Sequence, residues 1–278
     1  MRGLLLCCLF ILVPMALSAQ ERLPQVDSDG RLRALETRHS VRGYEAVGRL
    51  DTETGYCSAT LIAPDLVLTA AHCLFERSGQ RIPDRSITFL AGLRNGQAEA
   101  RRGVALSFVP DAYRHAWPVP DQASVKVDVA LLELDSPIHL AGVQPIRTGP
   151  VATERDVVTI VSYGRDREAF ASIEEDCRVL ARDAGLSALS CTVVPGSSGA
   201  PVLRETPSGL QIAAVVSSIG QLEDREAAFA VDVQDLLREL MAERDVANRR
   251  LSPGMSSLRR LNEGNGGRDE IGARFLRP

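Results

Sequence analysis

Residues 57–73 read Cys57-Ser-Ala-Thr-Leu-Ile-Ala-Pro-Asp-Leu-Val-Leu-Thr-Ala-Ala-His72-Cys73. Two short apolar runs, Ser58–Ile62 and Leu66–Ala70, are separated by Pro64 and Asp65, which punctuate strands rather than continue them. The period and the β-branched content predict β-strands. A histidine beside a cysteine is most often structural. Here His72 ends an apolar strand and lies between cysteines 16 positions apart. A Cys57–Cys73 bridge would close a loop worth ~3 kcal/mol in the chain-entropy model and would pin the histidine.

The same grammar extends outward. Ile87–Leu93, Gly103–Val109, Val129–Leu134, Val157–Tyr163, Pro201–Leu203 and Ile212–Ser217 are short apolar runs bounded by Gly, Pro, Asp or Asn. Many short strands at regular spacing predict an all-β sandwich or barrel. One segment breaks the pattern. In Val233–Val246, Leu236, Leu237, Leu240 and Met241 recur at helical spacing behind a capping Asp232, which predicts a closing amphipathic helix. The Ala-rich stretch Glu168–Leu189 is read as holding a helical turn. No internal repeat is visible.

Composition narrows the class. The chain has 278 residues, 45% of them hydrophobic and 24% charged, which suits a sizeable core and excludes collagen, a disordered polyampholyte and a disulfide-dense miniprotein. The net charge of −4 argues against a dedicated nucleic-acid binder, and no nucleic-acid partner is expected. Thirty-one arginines stand against a single lysine, Lys126, a bias from which no chemistry is drawn.

The ends differ from the body. Arg2 precedes the apolar run Leu4–Leu17, followed by small residues Ser18 and Ala19, so residues 1–19 read as a signal peptide. The run is shorter than the ~20 residues of a membrane span, and no stable membrane insertion is expected after its removal. Residues 20–40 read as a linker or propeptide, 41–246 as the folded domain, and 247–278 as a flexible basic tail with seven arginines against three acids. Cys7 and Cys8 leave with the signal, so an exported protein, periplasmic or extracellular, keeps Cys57, Cys73, Cys177 and Cys191. An even count in an oxidising compartment predicts two disulfides, and four cysteines allow three pairings. No Cys-x2–4-Cys spacing occurs among them, so no metal site is expected.

Two further segments belong with the first. Asp128-Val-Ala-Leu-Leu-Glu-Leu puts an acid at the head of a buried run. Pro195-Gly196-Ser197-Ser198-Gly199-Ala200-Pro201 gathers small residues that let a serine protrude from a tight turn while backbone N–H groups converge nearby. His72, Asp128 and Ser198 thus occur in the order His, Asp, Ser on an exported all-β chain. Over about residues 41–246 the sequence resembles the chymotrypsin/trypsin-like serine protease family, through Thr69-Ala-Ala-His72-Cys73, Asp128-Val-Ala-Leu-Leu and Gly196-Ser-Ser198-Gly199-Ala-Pro. The resemblance implies two antiparallel six-stranded β-barrels with a C-terminal α-helix and a cleft between the barrels. It implies a His72–Asp128–Ser198 triad that cleaves peptide bonds, with Gly196 and Ser198 as oxyanion donors. No cofactor is implied, the partner is a protein or peptide substrate, and a monomer is expected. Ser217, in Val215-Val-Ser-Ser, stands where the family often sets a serine against the triad Asp. The pairing Cys57–Cys73 with Cys177–Cys191 is favoured, because each bridge would brace a segment that carries catalytic machinery.

The departures are informative. Where the family usually has Gly-Asp-Ser-Gly-Gly-Pro, Ser197 replaces the Asp and Ala200 the last Gly. In trypsin-like zymogens that Asp receives the new N-terminal amine after cleavage, so the same switch cannot operate here. His39-Ser-Val-Arg-Gly-Tyr is also unlike the family's Ile-Val-Gly-Gly start, though removal of residues 20–40 at Ser40/Val41 is retained as an expectation. In lacking the Asp, the chain resembles the bacterial glutamyl-endopeptidase-like branch. An oxyanion hole held by other contacts follows. Thr192 occupies the family position that in basic-specific enzymes is Asp, and none of His39, His72, His115 or His139 lies in the Val215–Gly220 strand. With Ser217, Ile219 and Ala227 near the pocket walls, Thr192 points to a small or apolar pocket. A catalytically silent binding module on the same fold is the competing reading. An α/β-hydrolase is excluded: position 200 is Ala, the His precedes the Ser, and helices do not alternate with strands.

Overall fold

A computed structural model describes residues 32–223 and 225–251. Six strands form the first barrel: β2 (Val47–Thr52), β3 (Gly55–Ala63), β4 (Leu66–Thr69), β5 (Thr88–Ala91), β6 (Ala100–Phe108) and β7 (Ala130–Leu134). Their order is β2-β3-β4-β7-β6-β5, and β5 closes on β2. The interior takes Leu50, Leu61, Leu68, Phe89 and Leu131, all fully buried. Closure is tight at Gly48, where an added Cβ would lie 2.5 Å from the Phe89 ring and 2.6 Å from the Leu90 carbonyl. Any side chain there would force β2 and β5 apart.

The second barrel comprises β8 (Val157–Ser162), β9 (Ser172–Asp183), β10 (Leu186–Leu189), β11 (Pro201–Thr206), β12 (Gly209–Leu222) and β13 (Arg225–Asp232). The run β9-β10-β13-β12-β11-β8 closes because β8 also pairs with β9. Every pairing in both barrels is antiparallel, as the all-β reading with two six-stranded barrels predicts. The register of β12 on β13 shifts between Val216 and Ser218, leaving Ser217 opposite no partner. Such a bulge re-aims one side chain out of the pleat.

Helix α2 (Gln234–Leu251) leaves the second barrel and returns to the first. Leu240 is fully buried, and Arg244 bridges Asp65 at 2.9 Å and Glu133 at 2.5 Å. The helix runs five residues past Val246, so Ala247–Leu251 of the expected tail is helical. Asn248 donates to Glu133 at 3.2 Å, which adds a docking contact beyond the apolar stripe that marked the helix. Residues 252–278 and the expected signal peptide lie outside the described residues.

Two further expectations change. Glu168–Leu189 contains β9 and β10, not a helical turn; Leu186–Leu189 pairs on both sides, and this pairing overrides the helical propensity of Ala188 and its leucines. Within the segment expected to be a linker or propeptide, Leu32–Ala34 forms β1 against β9, and Leu35 is fully buried. The sequence hid this because three strand residues among polar neighbours show no period. Replacing Leu35 with Ala is expected to cost about 2–5 kcal/mol, as for other buried leucines. Chemical denaturation of a chain that begins at residue 20 measures it, and a loss under about 0.5 kcal/mol would mean that this segment is not part of the folded body.

Candidate active site

His72 follows β4 in a short 3-10 turn, Ala71–Leu74, and the Cys57–Cys73 disulfide fastens that turn to β3. The second disulfide is Cys177–Cys191, so the favoured pairing is the one found. Asp128 sits just before β7. It follows the one-turn helix α1 (Gln122–Val125), which Asp121 caps by accepting the Ser124 N–H.

Asp128 is only 4% exposed, and its carboxylate is surrounded by donors. The His72 backbone N–H donates to Oδ1 at 2.8 Å, the His72 ring lies 2.7 Å from Oδ2 through Nδ1, and Ser217 Oγ donates to Oδ2 at 2.5 Å. A carboxylate only accepts, so Nδ1 carries the proton and the neutral ring leaves Nε2 as a base. Burial alone would lift Asp128, but the His72 charge, the His72 hydrogen bonds and the Ser217 hydroxyl together hold it below its usual value. For His72, burial pulls downward, and the Asp128 charge and hydrogen bond outweigh it, so the imidazole is raised above its usual value.

The Ser loop is shaped by two glycines with positive φ, Gly196 at +98° and Gly199 at +79°. A Cβ on Gly196 would meet the Tyr56 ring at 2.5 Å, and one on Gly199 would meet the Ser58 carbonyl at 2.2 Å. Glycine is therefore required by both conformation and space. The loop closes on itself through Ser197 N–H to Val194 O at 2.9 Å and Ala200 N–H to Ser197 O at 3.0 Å. Among the described residues, neither the Gly196 N–H nor the Ser198 N–H donates to a backbone or side-chain acceptor, unlike their neighbours at 197, 199 and 200.

His72, Asp128, Gly196 and Ser198 line one cleft of about 520 Å³. Of the expected pocket residues, Ser217 and Ile219 line it as well. Thr192 and Ala227 do not. The Thr192 N–H is engaged by the buried Glu174 carboxylate at 2.8 Å, and Ala227 is buried opposite Gly220 in the β12–β13 ladder. Val193, Val194 and Val216 take their place on that wall. The sequence reading also missed the facing wall, where the Phe75 and His115 rings stack at 5.2 Å and Tyr113 and Trp117 complete an aromatic ledge. Nothing in the spacing of 75, 113, 115 and 117 marks them; only the loop before α1 carries the last three to Phe75. Cys57, His72 and Cys73 offer ligand atoms within 4.8 Å of one another, but the two sulfurs are bonded together and neither is a thiolate.

A family model described as the trypsin-like peptidase domain matches residues 57–208, which spans the His, Asp and Ser segments. The chain belongs to the trypsin-like peptidase family. Two curated relatives are similar. One is a glutamyl endopeptidase of Bacillus licheniformis, 24% identical over 186 residues, 66% of this chain and 55% of that protein. The other is a suppressor of tumorigenicity 14 protein homolog of Bos taurus, 32% identical over 92 residues, 32% of this chain and 10% of that protein. The chain thus spans about half of the first relative and a tenth of the second. A solved Glu endopeptidase in complex with MPD shares the fold of this trypsin-like peptidase, with a TM-score of 0.63, 18% identity, and 77% of this chain and 96% of that chain covered. No described helix is long and apolar enough to cross a membrane.

With Asp128 holding His72 up against burial, Asp128→Asn is expected to drop the His72 pKa below the ordinary value of about 6.5. Titration of the His72 ring followed by NMR reads this, and an unchanged or raised value would refute the electrostatic account.

Proposed function

We propose that this trypsin-like peptidase is an exported serine endopeptidase working through His72, Asp128 and Ser198. The observation that carries the reading is the buried Asp128–His72 pair opening onto a cleft shared with Ser198 and two uncommitted N–H groups. Two disulfides fit an oxidising compartment.

Ser198 Oγ attacks the carbonyl of the scissile peptide, and His72 Nε2 takes its proton. Asp128 keeps the ring oriented and stabilises the imidazolium. The negative oxygen of the tetrahedral intermediate accepts from the Gly196 and Ser198 N–H groups. His72 then returns the proton to the leaving amine, and the acyl group stays on Ser198. Water, deprotonated by His72, attacks the ester and releases the acid. Valine side chains and Ile219 on the pocket wall favour a small or apolar residue before the cut bond, and among the described residues the one acid lining the cleft, Asp128, is already engaged by His72 and Ser217.

A fluorophosphonate probe is expected to label the mature wild type on Ser198, with no labelling of Ser198→Ala. A wild type that fails to label would overturn the endopeptidase reading in favour of a silent binding module. Asp128→Asn is expected to lose about 10⁴ in kcat. Because only neutral His72 accepts a proton, kcat/KM falls as pH drops through a His72 pKa raised above its ordinary value. The acid limb of the pH profile should therefore lie above about 6.5 in wild type. A cleavage profile dominated by Arg, Lys or Glu before the cut would refute the apolar pocket.

A further inference from the structure

Ser58 is fully buried on β3, at the seam where the first barrel meets the Ser loop of the second. Its backbone N–H donates to the Ser198 carbonyl at 2.8 Å. Its backbone carbonyl accepts the Thr69 hydroxyl at 2.8 Å. Its Oγ accepts the Tyr163 N–H at 2.8 Å and donates to the Gly196 carbonyl at 2.9 Å, with the Tyr163 carbonyl farther away at 3.4 Å. One residue therefore grips the carbonyls on both sides of the Ser197–Ser198 peptide.

We propose that Ser58 is the positioning residue of the oxyanion loop, a role that rests on the serine-endopeptidase reading. The two carbonyls it holds flank the peptide whose N–H belongs to Ser198, and the first of them belongs to Gly196, the other donor. Fixing the two neighbouring peptide planes restrains the Ser197–Ser198 plane between them, and with it the direction of the Ser198 N–H, before substrate arrives. This preorganisation is what gives an oxyanion hole its effect. The need for an outside clamp follows from Ser197, which stands where the family usually carries an Asp. Ser197 is buried, and among the described residues its hydroxyl makes neutral contacts only, with Ser162 Oγ at 3.2 Å and the Val194 N–H at 3.4 Å. Both are long, and both partners belong to the second barrel. The shorter Ser58 bonds come from the opposite barrel and tie the loop to the body that carries His72.

Removing Oγ frees the Gly196 carbonyl and leaves the Tyr163 N–H unpaired, while the Ser58 N–H still holds Ser198. The loss then falls on the transition state rather than on ground-state binding, so kcat drops and KM changes little. Deleting one oxyanion donor outright costs ~10²–10³ in rate, and a misdirected donor is expected to cost about 10–100-fold.

The test compares mature wild type, Ser58→Ala and Ser58→Cys, with active sites counted by exhaustive fluorophosphonate titration so that misfolded molecules drop out. Ser58→Cys keeps a weaker donor at the same position, and mass spectrometry without reductant checks that Cys57–Cys73 stays paired beside the new thiol. Per-site kcat is expected to fall about 10–100-fold in Ser58→Ala, less in Ser58→Cys, with KM within about threefold in both. Hydrogen exchange is read in parallel, with faster exchange expected at Tyr163 and residues 196–199 in Ser58→Ala. Per-site kcat within about twofold of wild type in both variants would overturn the positioning role. If wild type neither labels nor cleaves, the endopeptidase reading fails, and unchanged exchange at Tyr163 and 196–199 would overturn the clamp as well.

Discussion

The buried carboxylate of Asp128 is the constraint around which the molecule is arranged. An anion taken out of water is costly unless donors surround it. Here the donors come from two places in the chain. His72 supplies a backbone and a ring N–H from the end of β4, and Ser217 supplies a hydroxyl from β12. The first belongs to one barrel and the second to the other. Satisfying one charge therefore fixes how the barrels meet, and the bulge at Ser217 is the local distortion that brings its hydroxyl to the anion. Losing either partner leaves part of the charge unpaired in a site that water does not reach freely.

Beside this charged contact lies a neutral one. Ser58, Thr69, Tyr163, Gly196 and Ser198 share a continuous set of hydrogen bonds across the same seam. Space there is the second constraint. Added atoms on Gly199 would strike the Ser58 carbonyl and the Thr69 hydroxyl at 2.2 Å, and Ala200 is fully buried. The run of small residues in the Ser loop thus reflects close approach of two barrels as much as the freedom of a turn. A neutral seam also does not need an incoming amine to complete it, which accords with a serine at position 197.

The two histidines nearest the carboxylate respond in opposite senses to similar surroundings. His72 touches Asp128 and is raised. His115 is lowered, first by burial and then by the His72 charge, with the more remote Asp128 unable to offset them. The nearness of the Asp128 charge, followed by its hydrogen bond, decides the difference. His115 stacks on Phe75 and forms part of the aromatic wall of the cleft.

The triad candidates were legible in the sequence because each sits in a short run whose neighbours explain it. His72 ends an apolar strand at a cysteine, Asp128 heads a buried strand, and Ser198 lies between glycines. The β-branched strands were legible for the same reason. Strand β2 was not, since Gly48, Arg49 and Asp51 interrupt its apolar period, and β10 was not, since it lies in the Ala-rich stretch Glu168–Leu189 that read as helix. Composition, period and local spacing act within a few residues, so they determined the all-β class, the two-disulfide chemistry and the three candidate side chains of the proposed triad. The tertiary structure alone decided that Val193, Val194 and Val216 line the cleft while Thr192 and Ala227 do not, and that Ser58 grips the Ser loop. Those contacts join residues more than a hundred positions apart, and only the closing of two barrels against each other brings them within bonding distance.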